Sequence, residues 1–180
     1  FIRNGVELKK NQNDIRVLEM GLGTGLNAYL TMVWARSYPG NITYYGIEAY
    51  PVEGSVMRSC LQAAGATDTE ELAFFSQTVY GQKQSIHNFT LVPVHAAWEA
   101  IRYDNEFDVV YYDAFGPRAQ EAMWSMDNLG RAHCALKQGG LLTTYCAKGQ
   151  VKRNLKELGF DVISLPGPAG KREMTQAIKV

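Results

Sequence analysis

The sequence is short of cysteine and histidine and carries no surplus of charge. Its three cysteines, Cys60, Cys134 and Cys146, stand far apart with no Cys-x-x-Cys pair. That excludes a disulfide framework and a thiolate zinc site, and the odd count fits a reducing compartment. His87, His95 and His133 share no metal-ligand spacing, so no metal is expected. Eighteen basic residues balance eighteen acidic ones. A general nucleic-acid binder would be basic overall, so only a local basic patch is compatible with this balance. No apolar run approaches the roughly 20 residues of a membrane-spanning helix, and no secretory leader is visible. A cytoplasmic location is expected. The chain opens on Phe1-Ile2, which reads as a strand entering a fold, so the natural chain is expected to begin earlier.

What is present is ordinary globular material. The 180 residues are 46% hydrophobic and 20% charged, which suits one domain over 1–180 with a single core. The apolar period switches repeatedly between strand and helix. Runs at 15–20, 42–49, 89–94, 107–113 and 141–146 read as buried strands. Helical spacing occupies 25–36, 51–64, 127–137 and 148–158, the second with Pro51 near its first turn. Two last strands, 160–165 and 174–180, are separated only by Pro166-Gly167-Pro168-Ala169-Gly170, so they should pair antiparallel. The expected fold is α/β: a Rossmann-like, mostly parallel sheet of seven strands with a C-terminal antiparallel hairpin. Residues 66–88 are too long for a plain connection and read as an insertion, with a candidate helix at 70–80.

The most informative stretch is Glu19-Met20-Gly21-Leu22-Gly23-Thr24-Gly25-Leu26-Asn27, which leaves a strand and opens a helix. Glycines there let backbone and ligand approach closely, and the helix N-terminus offers N–H groups to an anion. In S-adenosylmethionine that anion is the methionine carboxylate, with Glu19 placed to meet the cationic end. A second reading stays open. Gly23-x-Gly25-x-x-Ala28 satisfies the dinucleotide fingerprint, and Glu48 follows at the spacing of a ribose-binding acid. Either cofactor has a ribose diol for Glu48 to hold. After the third strand comes His95-Ala96-Ala97-Trp98, with no acid before Glu99. Trp98 either packs on an adenine or fills core. Asp113 ends the fourth strand in Tyr112-Asp113-Ala114-Phe115-Gly116-Pro117. Its apolar neighbours would keep water from the carboxylate and favour a reactive site over a turn cap.

These segments carry a family resemblance. The chain resembles the methyltransferase domain of the bifunctional enzyme that completes 5-methylaminomethyl-2-thiouridine in tRNA (MnmC type). The matching segments are 18–27, Tyr45-Gly46-Ile47-Glu48, Tyr112-Asp113-Ala114-Phe115 with Met123-Trp124, 144–153 and Gly170-Lys171-Arg172-Glu173-Met174. The resemblance implies S-adenosyl-L-methionine as cofactor, a tRNA wobble uridine as partner, and a primary amine on C5 as nucleophile. It implies Glu19, Gly21, Gly23, Glu48 and Asp113 around the cofactor and the reacting methyl. Gly25, Asn27, Trp98, Ala114 and Phe115 complete the candidate binding set, and Asp113 is the candidate catalytic group. The sequence departs from the pattern in lacking an acid near Ala96. It also shows no oxidase domain, so the aminomethyl substrate would come from a separate oxidase or aminomethyl-forming enzyme.

Lys148, Lys171 and Arg172 are candidate phosphate contacts, with Lys152 and Arg153 beside them. An ordinary solvated basic face is the alternative. Phe115, Trp124 and Tyr145 could stack an unpaired base or serve as core. Rival functions are a small-molecule amine methyltransferase, an aminopropyltransferase, an NAD-binding module and a non-catalytic scaffold.

Overall fold

The computed structural model describes residues 1–167 and 173–180. Eight strands form one sheet: β1 (Asp14–Met20), β2 (Asn41–Glu48), β3 (Gln84–Ile86), β4 (Phe89–His95), β5 (Phe107–Tyr112), β6 (Leu136–Thr144), β7 (Phe160–Pro166) and β8 (Glu173–Lys179). Their spatial order is β3-β4-β2-β1-β5-β6-β8-β7. The pairs from β4 through β6 are parallel, while β8 runs antiparallel to both β6 and β7. Five helices cover the faces: α1 (Leu26–Ala35), α2 (Gly54–Ala63), α3 (Thr69–Ser76), α4 (Met126–Ala135) and α5 (Gly149–Glu157).

A parallel strand sandwiched between helices must be apolar on both faces, and β5 is buried at every residue. Alternation then divides the core. Val17, Val109 and Tyr111 point to the face holding Ala28, Met32, Leu61, Leu72 and Phe75 of α1, α2 and α3. Leu18, Val110 and Tyr112 point to the other face, with Leu129 and Ala132 of α4 and Val151 and Leu155 of α5.

Seven strands were expected, and the sheet has eight. The extra one, β3, pairs antiparallel with β4 at the sheet edge. It is three residues long, too short to show a period, and its turn depends on His87 adopting φ 51°. The expected helix at 70–80 is α3, four residues shorter at its C-terminal end. Asp68 caps it, accepting from the N–H groups of Glu70 at 2.9 Å and Glu71 at 3.1 Å. Segment 66–88 is packed, not loose. Phe75 is fully buried and Leu72 nearly so, each stabilising by about 1.5–3 kcal/mol. Glu71 pairs with Arg36, the residue that closes α1. A Cβ on Gly54 would fall 1.8 Å from the Ser76 carbonyl oxygen, so only glycine lets α2 and α3 approach this closely. Helix α4 stops at Ala135, and β6 starts at once with an irregular register before Leu141 pairs with Val109. Among the described residues, no helix is long and apolar enough to cross a membrane.

Candidate active site

Strands β1, β2, β4 and β5 all end at one edge of the sheet. The chain proceeds outward from β1 to β2 and β4, then crosses back to β5 and β6, so the switch point lies between β1 and β5. A ligand cleft is expected beyond such a point. One of about 580 Å³ is there. Its size suits a cofactor.

The β1–α1 turn forms one wall. Gly21, Gly23 and Gly25 have φ of 85°, 51° and 76°, a region other residues enter at a cost of about 1–2 kcal/mol. The N–H groups of Gly21 and Leu22 donate to the Ile47 carbonyl at 2.9 and 3.0 Å, fastening the turn to β2. No side chain caps α1 behind Gly25. Its first N–H groups therefore suit a carboxylate ligand. Gly25 itself faces inward: a Cβ there would meet Met57 Cε at 3.0 Å and Phe75 at 3.3 Å.

Three carboxyls converge below and beside this turn, in different states. Glu48 lines the cleft and accepts from the N–H of Gly23 through Oε2 and of Tyr50 through Oε1, both at 2.8 Å. Segment 66–88 adds Tyr80 near Glu48. Burial, reinforced by the Glu48 charge, pushes the Tyr80 phenol up to about 12. Glu19 is 1% exposed and does not reach the cleft wall. Its Oε1 accepts from Asn27 Nδ2 at 2.7 Å, and the Tyr44 hydroxyl lies beside the carboxyl. Burial raises the Glu19 carboxyl well above the ordinary range, an effect only partly offset by Asn27 and Tyr44 and reinforced by the Asp113 and Glu48 charges. Asp113 is exposed in the cleft and accepts from the same Asn27 nitrogen at 2.8 Å.

The sequence placed Gly21, Gly23, Glu48, Trp98, Asp113, Ala114 and Phe115 at the site, and all seven line the cleft. Glu19, Gly25 and Asn27 sit behind the turn and support it. Trp98 is both wall and core. It is 4% exposed, donates its indole N–H to the Asn128 carbonyl at 3.1 Å, and still borders the cleft. Glu99, Tyr50, Val52, Gln120 and Met123 also line it and were not picked from the sequence. Glu99 supplies an acid to the wall that Ala96 lacks, four residues beyond the end of β4. Its position there depends on the short turn Trp98–Ala100.

Phe115 is 73% exposed. Its backbone is held on both sides: its N–H donates to Gln120 Oε1 at 3.2 Å and its carbonyl accepts from Trp124 Nε1 at 2.9 Å. Trp124 is therefore a buried anchor. Tyr145 is half-buried against Phe1, their ring centroids 4.5 Å apart. Lys148 is exposed at the N-cap of α5. Lys152 is committed elsewhere, to Ser164 Oγ at 2.7 Å and Glu173 at 2.8 Å, and Arg153 donates to Gln150. Lys171 and Arg172 lie outside the described residues.

The site fits S-adenosyl-L-methionine: an uncapped helix start for its carboxylate, Glu48 at the wall for the ribose diol, and an apolar shelf of Ile47, Val52 and Trp98 for the ring. Comparisons with known proteins agree. The chain is 27% identical over 175 residues to the tRNA 5-methylaminomethyl-2-thiouridine biosynthesis bifunctional protein MnmC of Marinomonas sp., covering 91% of this chain and 26% of that protein. It is 28% identical to the protein of the same name from Caulobacter vibrioides, covering 92% of this chain and 30% of that one. The chain thus spans about a quarter to a third of the length of these relatives. Among solved structures, MNMC2 from Aquifex aeolicus superposes with a TM-score of 0.70 at 20% identity, over 98% of this chain and 58% of that one. The antibiotic-resistance methyltransferase Kmr gives 0.57 at 15% identity, over 97% and 92%. These two likenesses establish the fold. A family profile described as S-adenosyl-L-methionine-dependent methyltransferase matches residues 69–180. That match spans most of the chain and removes the dinucleotide and scaffold alternatives. The chain belongs to the S-adenosyl-L-methionine-dependent methyltransferases.

Proposed function

We propose that the chain methylates the 5-aminomethyl nitrogen of the wobble (thio)uridine in tRNA. The observation that carries this reading is Asp113. It stands exposed on the cleft wall beside the glycine turn, in a sequence similar over nine-tenths of its length to the MnmC proteins. When bound, the donor supplies an electrophilic sulfonium methyl. The protein's task is alignment. Only the neutral amine attacks, and an alkylamine with a lysine-like pKa needs roughly 4 kcal/mol to be neutral at pH 7. Asp113 accepts a hydrogen bond from the amine, directs its lone pair away from the carboxylate, and takes the proton released as the N–C bond forms and the S–CH3 bond breaks to leave a neutral thioether. Phe115, held rigid by Gln120 and Trp124, offers a face on which the uracil ring stacks. Lys148 holds a phosphate of the anticodon strand.

In this reading residues 1–180 are one cytoplasmic methyltransferase domain. Its aminomethyl substrate comes from an oxidase, either fused, as the name of the bifunctional relatives suggests, or separate. Nucleoside mass spectrometry of tRNA from a strain deleted for the gene tests the substrate. Expected is accumulated 5-aminomethyl-2-thiouridine, converted to the methylated nucleoside when the chain is restored. An unchanged nucleoside profile overturns the reading and leaves a small-molecule amine as the acceptor class.

A further inference from the structure

We propose that Glu19 and Asn27 form a positioning pair that orients the Asp113 carboxylate, and that Glu19 acts through Asn27 and not on the methyl donor. The inference rests on the role given to Asp113 above. It starts from a hydrogen count. An amide nitrogen carries two hydrogens. Asn27 Nδ2 lies 2.7 Å from Glu19 Oε1 and 2.8 Å from Asp113 Oδ2, so each hydrogen has one carboxyl acceptor. The two acceptors come from neighbouring strands. Glu19 pairs with Tyr111 across β1 and β5, and Asp113 follows Tyr111 by two residues, which puts both carboxyls on the face that α1 covers. Asn27 occupies the second position of α1, directly above that gap. Its own carbonyl accepts from Thr31 Oγ1 at 2.7 Å, fixing the first turn of the helix.

Glu19 cannot reach a ligand without leaving its place. It is 1% exposed and absent from the cleft lining. Its environment also raises its carboxyl well above the ordinary range, since burial favours the uncharged acid. A neutral Glu19 still offers Oε1 to Asn27 and does not repel Asp113. An ionised one would set two like charges on one amide. Among the described residues, the charged and titratable groups near Asp113 include Glu19 from β1, Tyr44 from β2 with Glu48 at its end, the Phe1 amino group, and Tyr145 after β6.

The test uses Asn27→Ala, Glu19→Ala and Glu19→Gln in the full chain, each checked for folding by its melting curve. Asn27→Ala should lower kcat by about 10- to 100-fold, the scale of a misplaced reacting group, with donor Kd changed by less than about threefold. Loss of the N–H donor should also move the acid limb of the kcat–pH profile upward, because the Asp113 carboxylate loses a stabilising hydrogen bond. Glu19→Gln, which keeps an acceptor oxygen, should recover most of the rate lost in Glu19→Ala. A carbon-13 NMR titration of the Asp113 carboxyl in donor-free protein gives a readout that needs no methyl acceptor. Its pKa should rise in Asn27→Ala. An unchanged titration, or a loss of donor affinity that accounts for the whole rate defect, overturns the proposal. If the wild-type chain leaves tRNA unmethylated, the functional reading fails, while the titration still decides whether Asn27 positions Asp113.

Discussion

The two sides of the cleft are built by different means. The donor side is backbone. Three glycines within five residues hold left-handed conformations, and two of the turn's N–H groups anchor on the Ile47 carbonyl. The acceptor side, residues 113–125, is held by side chains. Trp124 and Gln120 grip the backbone of Phe115, the Tyr112 hydroxyl donates to the Met123 carbonyl, and Asn27 reaches across from α1 to Asp113. A wall made by dihedral angles resists change until a residue cannot adopt them. A wall made by side-chain anchors can be loosened one contact at a time. Substitutions on the two sides should therefore separate donor binding from transfer.

The largest expected separation is at Asp113. Asp113→Ala should reduce kcat by about 10²- to 10⁴-fold while calorimetry finds donor Kd within about threefold of wild type. An equal loss of donor affinity would erase the distinction between the sides. Next is Gly23→Val. A β-branched residue at φ 51° is strained by about 1–2 kcal/mol or more and adds bulk at the cleft wall. Donor Kd should rise at least about tenfold, and a titration superimposable on wild type would show that the turn does not shape the donor site.

Trp124→Phe keeps most of the ring and removes the N–H that holds Phe115. It should lower stability by about 1 kcal/mol and Tm by about 2–4 °C, and raise KM for the acceptor with donor Kd unmoved. Scanning calorimetry and steady-state kinetics check it; an acceptor KM equal to wild type would free Phe115 from this anchor.

The smallest effect concerns Glu19 and pH. Its folded-state pKa is raised above the ordinary value of 4.5. Below that value both states hold the proton, and burial of the neutral acid is fully favourable. As pH rises, the unfolded chain releases its proton while the native chain keeps it, so wild type loses stability until pH passes the raised native value. Glu19→Gln has no proton to release. Its Tm advantage over wild type should widen as pH rises above the ordinary carboxyl value of 4.5, and a constant difference would mean that the native carboxyl ionises normally.

Much of the architecture was legible because helical and strand periods are local. The central strands, the four helices flanking them and the final antiparallel pair follow from apolar spacing and glycine placement. Strand β3 escaped because three residues carry no period and its partner is chosen by a turn at His87. The helix in 66–88 was visible, but not that Phe75 and Glu71 would tie it to α1, or that Tyr80 would lie near Glu48. At the site, seven candidate residues reached the cleft wall because strand ends and the glycine turn locate them. Trp98 stood between two readings because one indole can donate into the core and still show its edge to a ligand. Lys152 looked like an RNA contact until the terminal hairpin brought Glu173 to it.

By itself the sequence determined the glycine turn, the strand order along the chain and the presence of acids at three strand ends. These depend on dihedral preference and on which side chains repeat at which period, both properties of a few consecutive residues. Only the tertiary structure decided that Glu19 is buried, that Glu48 and Asp113 face the cleft, and that Asn27 joins two carboxyls, one of them 86 residues away. Desolvation and hydrogen-bond partnership are set by whichever strand and helix lie alongside, and that neighbour is chosen by packing of the whole sheet.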